Sequence, residues 1–168
     1  MGGRHGGRSR VSGQEGLTAV RKRLQSYADR GVFRGLAEES LGRSRYRFKF
    51  LWLTPAAFAL VYAPKSGSIV IQDLLPNLGP RTAVRKEIRT FILSRTDSAL
   101  PKHRRIDARA VTVTCEVRRG LLSVKLVARR RDHDYAVNRA VNLIHEIFVQ
   151  LHTYFPEYMW ENFDVPEE

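Results

Sequence analysis

One stretch, residues 45–53, constrains the fold more than any other part of the chain. Along it aromatic residues alternate with charged or aliphatic ones, so that Tyr46, Phe48, Phe50 and Trp52 are separated by Arg45, Arg47, Lys49 and Leu51. A period of two places the two sets on opposite faces of a β-strand. The stretch therefore predicts a half-buried strand whose aromatic face is covered by helices and whose other face is wetter.

Two tight turns, at residues 64–67 and 119–120, predict a pair of β-hairpins. Each turn contains a glycine and separates two short apolar stretches. The four stretches are residues 58–63, 68–74, 111–117 and 122–126. Since tight turns join antiparallel neighbours, these strands and the aromatic strand predict a five-stranded antiparallel sheet.

Apolar residues recur at helical spacing in three further stretches, at about 17–30, 81–95 and 135–154. Residues 32–44 show neither period and predict a turn or loop. The expected fold class is therefore α+β, with the helices packed mainly on one face of the sheet.

The ends of the chain differ in composition from the middle. Residues 1–15 are rich in Gly and Arg and predict a disordered tail, whereas residues 16–156 predict a single α+β domain. Residues 157–168 contain five acidic and no basic side chains together with several aromatic ones. We expect this C-terminal tail to dock on the domain, because exposed aromatic residues are unfavourable in water and its acids complement a basic body. The alternative is a short linear element that binds a partner.

The predicted order α-βββ-α-ββ-α over residues 17–155 resembles that of the type III secretion chaperone-like superfamily. The resemblance concerns the order and length of elements and involves no motif. It implies a non-enzymatic protein-binding module, often a homodimer. Secretion chaperones of this kind are typically acidic, whereas this chain has a net charge of +12.

The charge balance suggests a first candidate site. The chain has 29 Lys and Arg residues against 17 Asp and Glu residues, an excess that attracts polyanions. Basic residues follow one face of the predicted second helix and continue into the next loop. This basic set consists of Arg81, Arg85, Lys86, Arg89, Lys102, Arg104 and Arg105. Two interpretations stay open, namely contact with nucleic-acid phosphates and a solvated surface that keeps the protein soluble.

A second candidate site follows the last long helix. Weakly charged residues occupy a narrow arc beside its apolar face, where a solvated helix in so basic a protein would carry Lys or Arg. Together with two aromatic residues of the tail they form the interface set: Asn138, Asn142, His145, Val149, His152, Tyr158 and Trp160. They predict a partly buried seam, either against the chain's own tail or at a dimer interface.

Signatures of catalysis are lacking in the sequence. It has no serine elbow, no phosphate-binding loop and no dinucleotide fingerprint. His145-Glu146 begins like a zinc-protease helix, but Val149 stands where the second metal ligand belongs. Cys115 is the only cysteine, which excludes an internal disulfide, and its place in an apolar alternation predicts a buried thiol. We therefore expect neither metal nor cofactor.

These observations rank three functions. The first is a non-enzymatic protein-interaction module that acts through a sheet or helix face, with dimerisation expected. The alternatives are a nucleic-acid-associated basic protein and an enzyme of unidentified chemistry. The sequence contains neither a run of about 18–20 apolar residues nor a secretory signal, which predicts a cytoplasmic protein without a membrane span.

Overall fold

The computed structural model describes residues 7–163 of the chain, with side chains from residue 13. Residues 1–6 of the predicted Gly/Arg tail and residues 164–168 of the predicted acidic tail lie outside this range. The elements in chain order are α1 (Gly7–Asp29), β1 (Arg34–Gly42), β2 (Arg45–Leu51), β3 (Ala57–Ala63), β4 (Ser68–Leu75), α2 (Thr82–Ser94), β5 (Val111–Arg118), β6 (Leu121–Ala128), α3 (His133–Tyr154) and α4 (Pro156–Phe163).

The strands form one antiparallel sheet in the order β1-β2-β3-β4-β6-β5. The α+β class and the antiparallel sheet predicted from the sequence are confirmed. The predicted count of five strands is wrong, because the sheet has six. The additional strand is β1, which occupies the stretch predicted as a turn or loop.

β1 escapes prediction because it is an edge strand held mainly by its backbone. Most of its residues are exposed on both faces, and Glu38, Glu39 and Ser40 follow one another without alternation. Gly35 adopts a φ of 65°, and the register with β2 shifts between Arg34 and Ala37. Such bulges and charges are typical of sheet edges. The main-chain pairing with β2 therefore leaves no periodic trace in the side chains.

The two faces of the sheet have different compositions. One row of paired residues across four strands is apolar and at most 2 % exposed, and consists of Phe48, Leu60, Ile71 and Val124. The neighbouring row points to the opposite face and is basic at both ends and apolar between them, with Arg47, Val61, Val70 and Lys125. The alternation predicted for β2 thus separates the core from a partly solvated surface.

α1 and α3 lie side by side and contribute buried residues to the core. The Arg23 guanidinium donates two hydrogen bonds to the Asp134 carboxylate, at 2.8 and 2.6 Å. One turn further along both helices, Asn138 Nδ2 donates to Tyr27 Oη at 2.6 Å. His145, on the same side of α3, instead stacks on Trp52, with ring centroids 6.1 Å apart. The flank of α3 therefore changes its neighbour from α1 to the end of β2.

α2 and α4 complete the helical layer. α2 lies against the other flank of α3, where Gln150 Nε2 donates to Glu87 at 3.2 Å and Arg95 pairs with Glu146 at 3.6 Å. α4 folds back on α3 and buries Tyr158, whose hydroxyl donates to the carbonyl of Pro76 at 2.6 Å. Of the helices in the described residues, none has the length and apolar character needed to cross a membrane.

Candidate functional site

An apolar groove lies where the end of β2 meets the start of β1 and the end of α4. Its volume is about 580 Å³, and its apolar lining includes Phe33, Leu51, Trp52, Leu53 and Phe163. Leu51 and Leu53 are 39 % and 46 % exposed, which is high for leucines beside a core. The groove therefore offers solvent-accessible apolar surface with a shape that a side chain can enter.

The turn after β2 explains why Leu53 is exposed. Leu53 has a φ of 64°, in the left-handed region, and Thr54 N donates to the carbonyl of Trp52 at 2.7 Å. Thr54 Oγ1 also donates to the carbonyl of Ala56 at 3.1 Å. A non-glycine residue in this region costs about 1–2 kcal/mol. The fold therefore sustains local strain at a leucine that it leaves in solvent.

Aromatic contacts hold the base of the groove. Phe33 stacks on Phe50 with ring centroids 4.1 Å apart, and Trp52 meets Phe58 edge-on at 6.4 Å. Phe163 contacts Phe148 of α3 at 5.0 Å. Because these rings belong to three different parts of the fold, they fix the base of the groove relative to both the sheet and α3.

Two further exposed apolar side chains lie one helical turn from a residue that lines the groove or stacks on its lining. Val149, one turn after His145 on α3, is 50 % exposed. Trp160, one turn before Phe163 on α4, is 60 % exposed. The opposite side of α4 is anchored by an ion pair between Arg81 and Glu161. Trp160 is thus carried on a helix that is fixed to the domain.

The interface set divides in two in the structure. Asn138 is bonded to Tyr27 and Tyr158 is buried, so both belong to the internal contacts of the fold. The other five residues, Asn142, His145, Val149, His152 and Trp160, are exposed. Sequence reasoning did not include Leu51, Trp52 and Leu53. Leu51 offered a signal, because it stands where the alternation of β2 otherwise places a cation.

The basic set is likewise divided. Arg81 is paired with Glu161, and Arg105 donates to the carbonyl of Ser98 at 3.0 Å. Within the described residues, the side chains of the remaining five form neither an ion pair nor a hydrogen bond: Arg85, Lys86, Arg89, Lys102 and Arg104. The first three belong to α2 and the last two to the loop that follows it.

One tyrosine of α4, the helix that ends at the groove, has a shifted pKa. Burial raises the pKa of the Tyr158 hydroxyl, which keeps it protonated as the donor to Pro76. Between residues 13 and 163, no three His, Cys, Asp or Glu side chains meet in a way that could hold a metal ion.

Cys115 is only half-buried on the edge strand β5, not fully buried as its alternation predicts.

In comparisons with known proteins, no family model, no curated protein and no solved structure matches the chain. The resemblance to the type III secretion chaperone-like superfamily consequently rests on element order alone. The observed order, α-ββββ-α-ββ-α-α, differs from the predicted one by a strand before α2 and a helix at the end.

Proposed function

We propose that the protein is a non-enzymatic protein-interaction module that associates through the groove, with a second copy of the chain as its partner. One observation carries this proposal. Among the described side chains, six large apolar residues are exposed, and three of them, Leu51, Leu53 and Trp160, line the groove or lie within a turn of a lining residue. A fourth, Val149, lies one turn from His145, which stacks on the lining residue Trp52. Exposed apolar residues that cluster mark interaction sites more often than scattered ones do.

The groove and its surroundings carry an exposed aromatic side chain and groups of opposite charge. Trp160 projects from α4 beside Glu157, so an aromatic side chain is accompanied by an acid. The rim of the groove contains Arg34, and His145 lies next to Trp52. Since projection and groove are neighbours on one molecule, a two-fold contact would bury Trp160 of each copy in the groove of the other. An aromatic anchor in a pocket is the usual centre of such an interface.

Sedimentation velocity over a range of protein concentrations tests this proposal. We expect a monomer–dimer equilibrium that shifts toward monomer in the Trp160→Ala variant. Tyr154→Ala is the matched control, because Tyr154 is an exposed aromatic residue of α3 outside the groove lining. A protein that stays monomeric at every concentration, or equal dissociation of both variants, would refute association through the groove.

A specific observation also favours the alternative of nucleic-acid binding. Five basic side chains of α2 and its following loop have no ion-pair partner among residues 13–163. Phosphate contacts of this kind release counterions, so the logarithm of the affinity falls linearly with the logarithm of salt concentration. The test compares the salt dependence for wild type and for Arg85→Ala/Arg89→Ala. The control is Arg45→Ala/Lys125→Ala, which removes the same charge from the uncovered sheet face. Equal slopes for the two double variants would exclude a specific site on α2.

A further inference from the structure

A second cavity, of about 380 Å³, lies at the opposite end of α3 from the groove. Three segments enclose it: the N-terminal half of α1, the turn between β3 and β4, and the connection from β6 to α3. Its walls include the small or apolar residues Ala19, Pro64 and Ala128. Its volume is within the range of about 300–1,000 Å³ that small-molecule sites occupy.

A buried polar pair forms one side of this cavity. His133 is 8 % exposed, and its Nδ1 lies 2.5 Å from the hydroxyl of Tyr62. Burial lowers the pKa of His133, an effect that the carbonyl of Arg130 and the carboxylate of Asp132 partly offset. The ring is therefore a neutral, fixed component of the wall near pH 7.

Two glycines lie close to the pair, such that a larger residue would collide with it at Gly16 and crowd it at Gly67. A Cβ at Gly16 would lie 2.6 Å from His133 Nδ1. A Cβ at Gly67 would lie 3.0 Å from the carbonyl oxygen of Ala128 and 3.2 Å from His133 Nε2, and Gly67 also has a φ of 70°. These approaches fix α1, the β3–β4 turn and the start of α3 relative to one another. The shape of the cavity is accordingly built into the fold.

Three cations line the cavity: Lys65 from the β3–β4 turn, and Arg130 and Arg131 from the β6–α3 connection. None of the three side chains forms an ion pair or a hydrogen bond within residues 13–163. The acidic lining residue, Glu15, belongs to α1 and thus to a different wall.

We infer that this cavity binds a small organic phosphate, with the phosphate held by Lys65, Arg130 and Arg131. Guanidinium groups donate paired hydrogen bonds to phosphate, and a lysine supplies a further point charge. Glu15 repels a phosphate but accepts hydrogen bonds from hydroxyl or amino groups, so it orients the organic part toward α1. The site is separate from the groove, and its existence does not depend on the proposed function.

Isothermal titration calorimetry with AMP, inorganic phosphate and adenosine tests this inference. We expect AMP to bind more tightly than phosphate, and adenosine not to bind. The informative variant is Arg130→Gly, because Arg130 has a φ of 56° and glycine adopts that conformation without strain. It removes the guanidinium while preserving the backbone, and we expect AMP affinity to fall by about tenfold or more.

The control is Arg45→Ala, which removes one positive charge from the uncovered face of the sheet and should leave AMP binding unchanged. An equal loss in both variants would show that AMP responds only to net charge and would overturn the inference. Binding of adenosine as tight as that of AMP, or no binding of AMP at all, would overturn it as well. Equal affinity for phosphate and AMP would show that the organic part of the ligand does not contribute to binding, which would overturn the inference of an organic phosphate.

Discussion

The two ends of α3 pack against their neighbours through different kinds of side chain. At its start, polar groups and glycines bring three segments together around Tyr62 and His133 and leave a cavity lined by cations. Near its end, aromatic rings support a groove whose apolar edges remain in solvent. A polar site recognises a ligand by its charge and hydrogen-bonding geometry, whereas an apolar site recognises a partner by its buried area and shape. One helix therefore lies beside two surfaces of different chemistry.

The strongest test of the groove end is Tyr158→Ala. Loss of a buried aromatic side chain and of its hydrogen bond to Pro76 should lower the free energy of unfolding by about 3–5 kcal/mol. Trp160→Ala, on the exposed side of the same helix, should change it by less than about 0.5 kcal/mol when measured on monomer. Chemical denaturation of dilute protein measures both. Similar losses would mean that α4 is not held by Tyr158.

At the cavity end of α3, the same Gly→Ala substitution at two positions of α1 should change the stability of the fold in opposite directions. Gly16→Ala forces a methyl group against His133 and should destabilise the fold by about 1–3 kcal/mol. Gly13→Ala meets Pro64 Cβ at 3.8 Å, an ordinary contact, and should stabilise the helix by about 0.5–1 kcal/mol. Thermal unfolding of the two variants checks this, and stabilisation by both would show that α1 is not tightly packed at the pair.

Leu53→Asn should make the monomer more stable and the dimer weaker, so it distinguishes folding stability from self-association. Asparagine accepts the left-handed backbone better than leucine, so the monomer should gain up to about 1 kcal/mol in free energy of unfolding. The same change removes apolar surface from the groove and should weaken the dimer. Leu93→Asn, at an exposed leucine of α2, is the control for lost apolar surface. A Leu53→Asn protein that dimerises like wild type would contradict the role of this edge.

The smallest effect expected is a pH dependence that belongs to His133. Because its folded-state pKa is lowered, its stabilising contribution is complete above its ordinary value of 6.5 and declines as pH falls from there toward the lowered pKa. Asp134 titrates below this window, since its hydrogen bond with Arg23 lowers the pKa of its carboxyl from an ordinary 3.8. His133→Gln should flatten the dependence of stability on pH as the pH falls below 6.5. An unchanged slope in this variant would assign the titration to another group.

Local patterns account for the parts of the fold that sequence reasoning predicts. β2 alternates strictly because one of its faces is core, and α3 has a wide apolar face because it crosses the sheet. β1 has neither property, so it was missed. The sequence also does not show which aromatic residues of the tail are buried and which are exposed. Tyr158 is buried and Trp160 is exposed because of the angle at which α4 meets α3.

The sites depend on long-range proximity, which a pattern within one segment does not contain. Tyr62 and His133 are 71 residues apart, and their contact is made by the pairing of β4 with β6. Gly16 and Gly67 are ordinary glycines in the sequence and become necessary only where α1 and the β3–β4 turn approach that pair. Among the groove residues, only Leu51 is indicated by a local pattern, because it stands where the alternation of β2 otherwise places a cation.

The strand order also has a consequence during synthesis of the chain. β4 pairs with β3 on one side and with β6 on the other, yet α2 and β5 are translated between β4 and β6. Until residue 128 has left the ribosome, the backbone of β4 and the side chains of Ile69 and Ile71 lack their final neighbours. A nascent chain with such an unpaired apolar strand is prone to misassembly. Ribosome-bound chains that end before β6 should therefore depend on chaperones more than chains that include it.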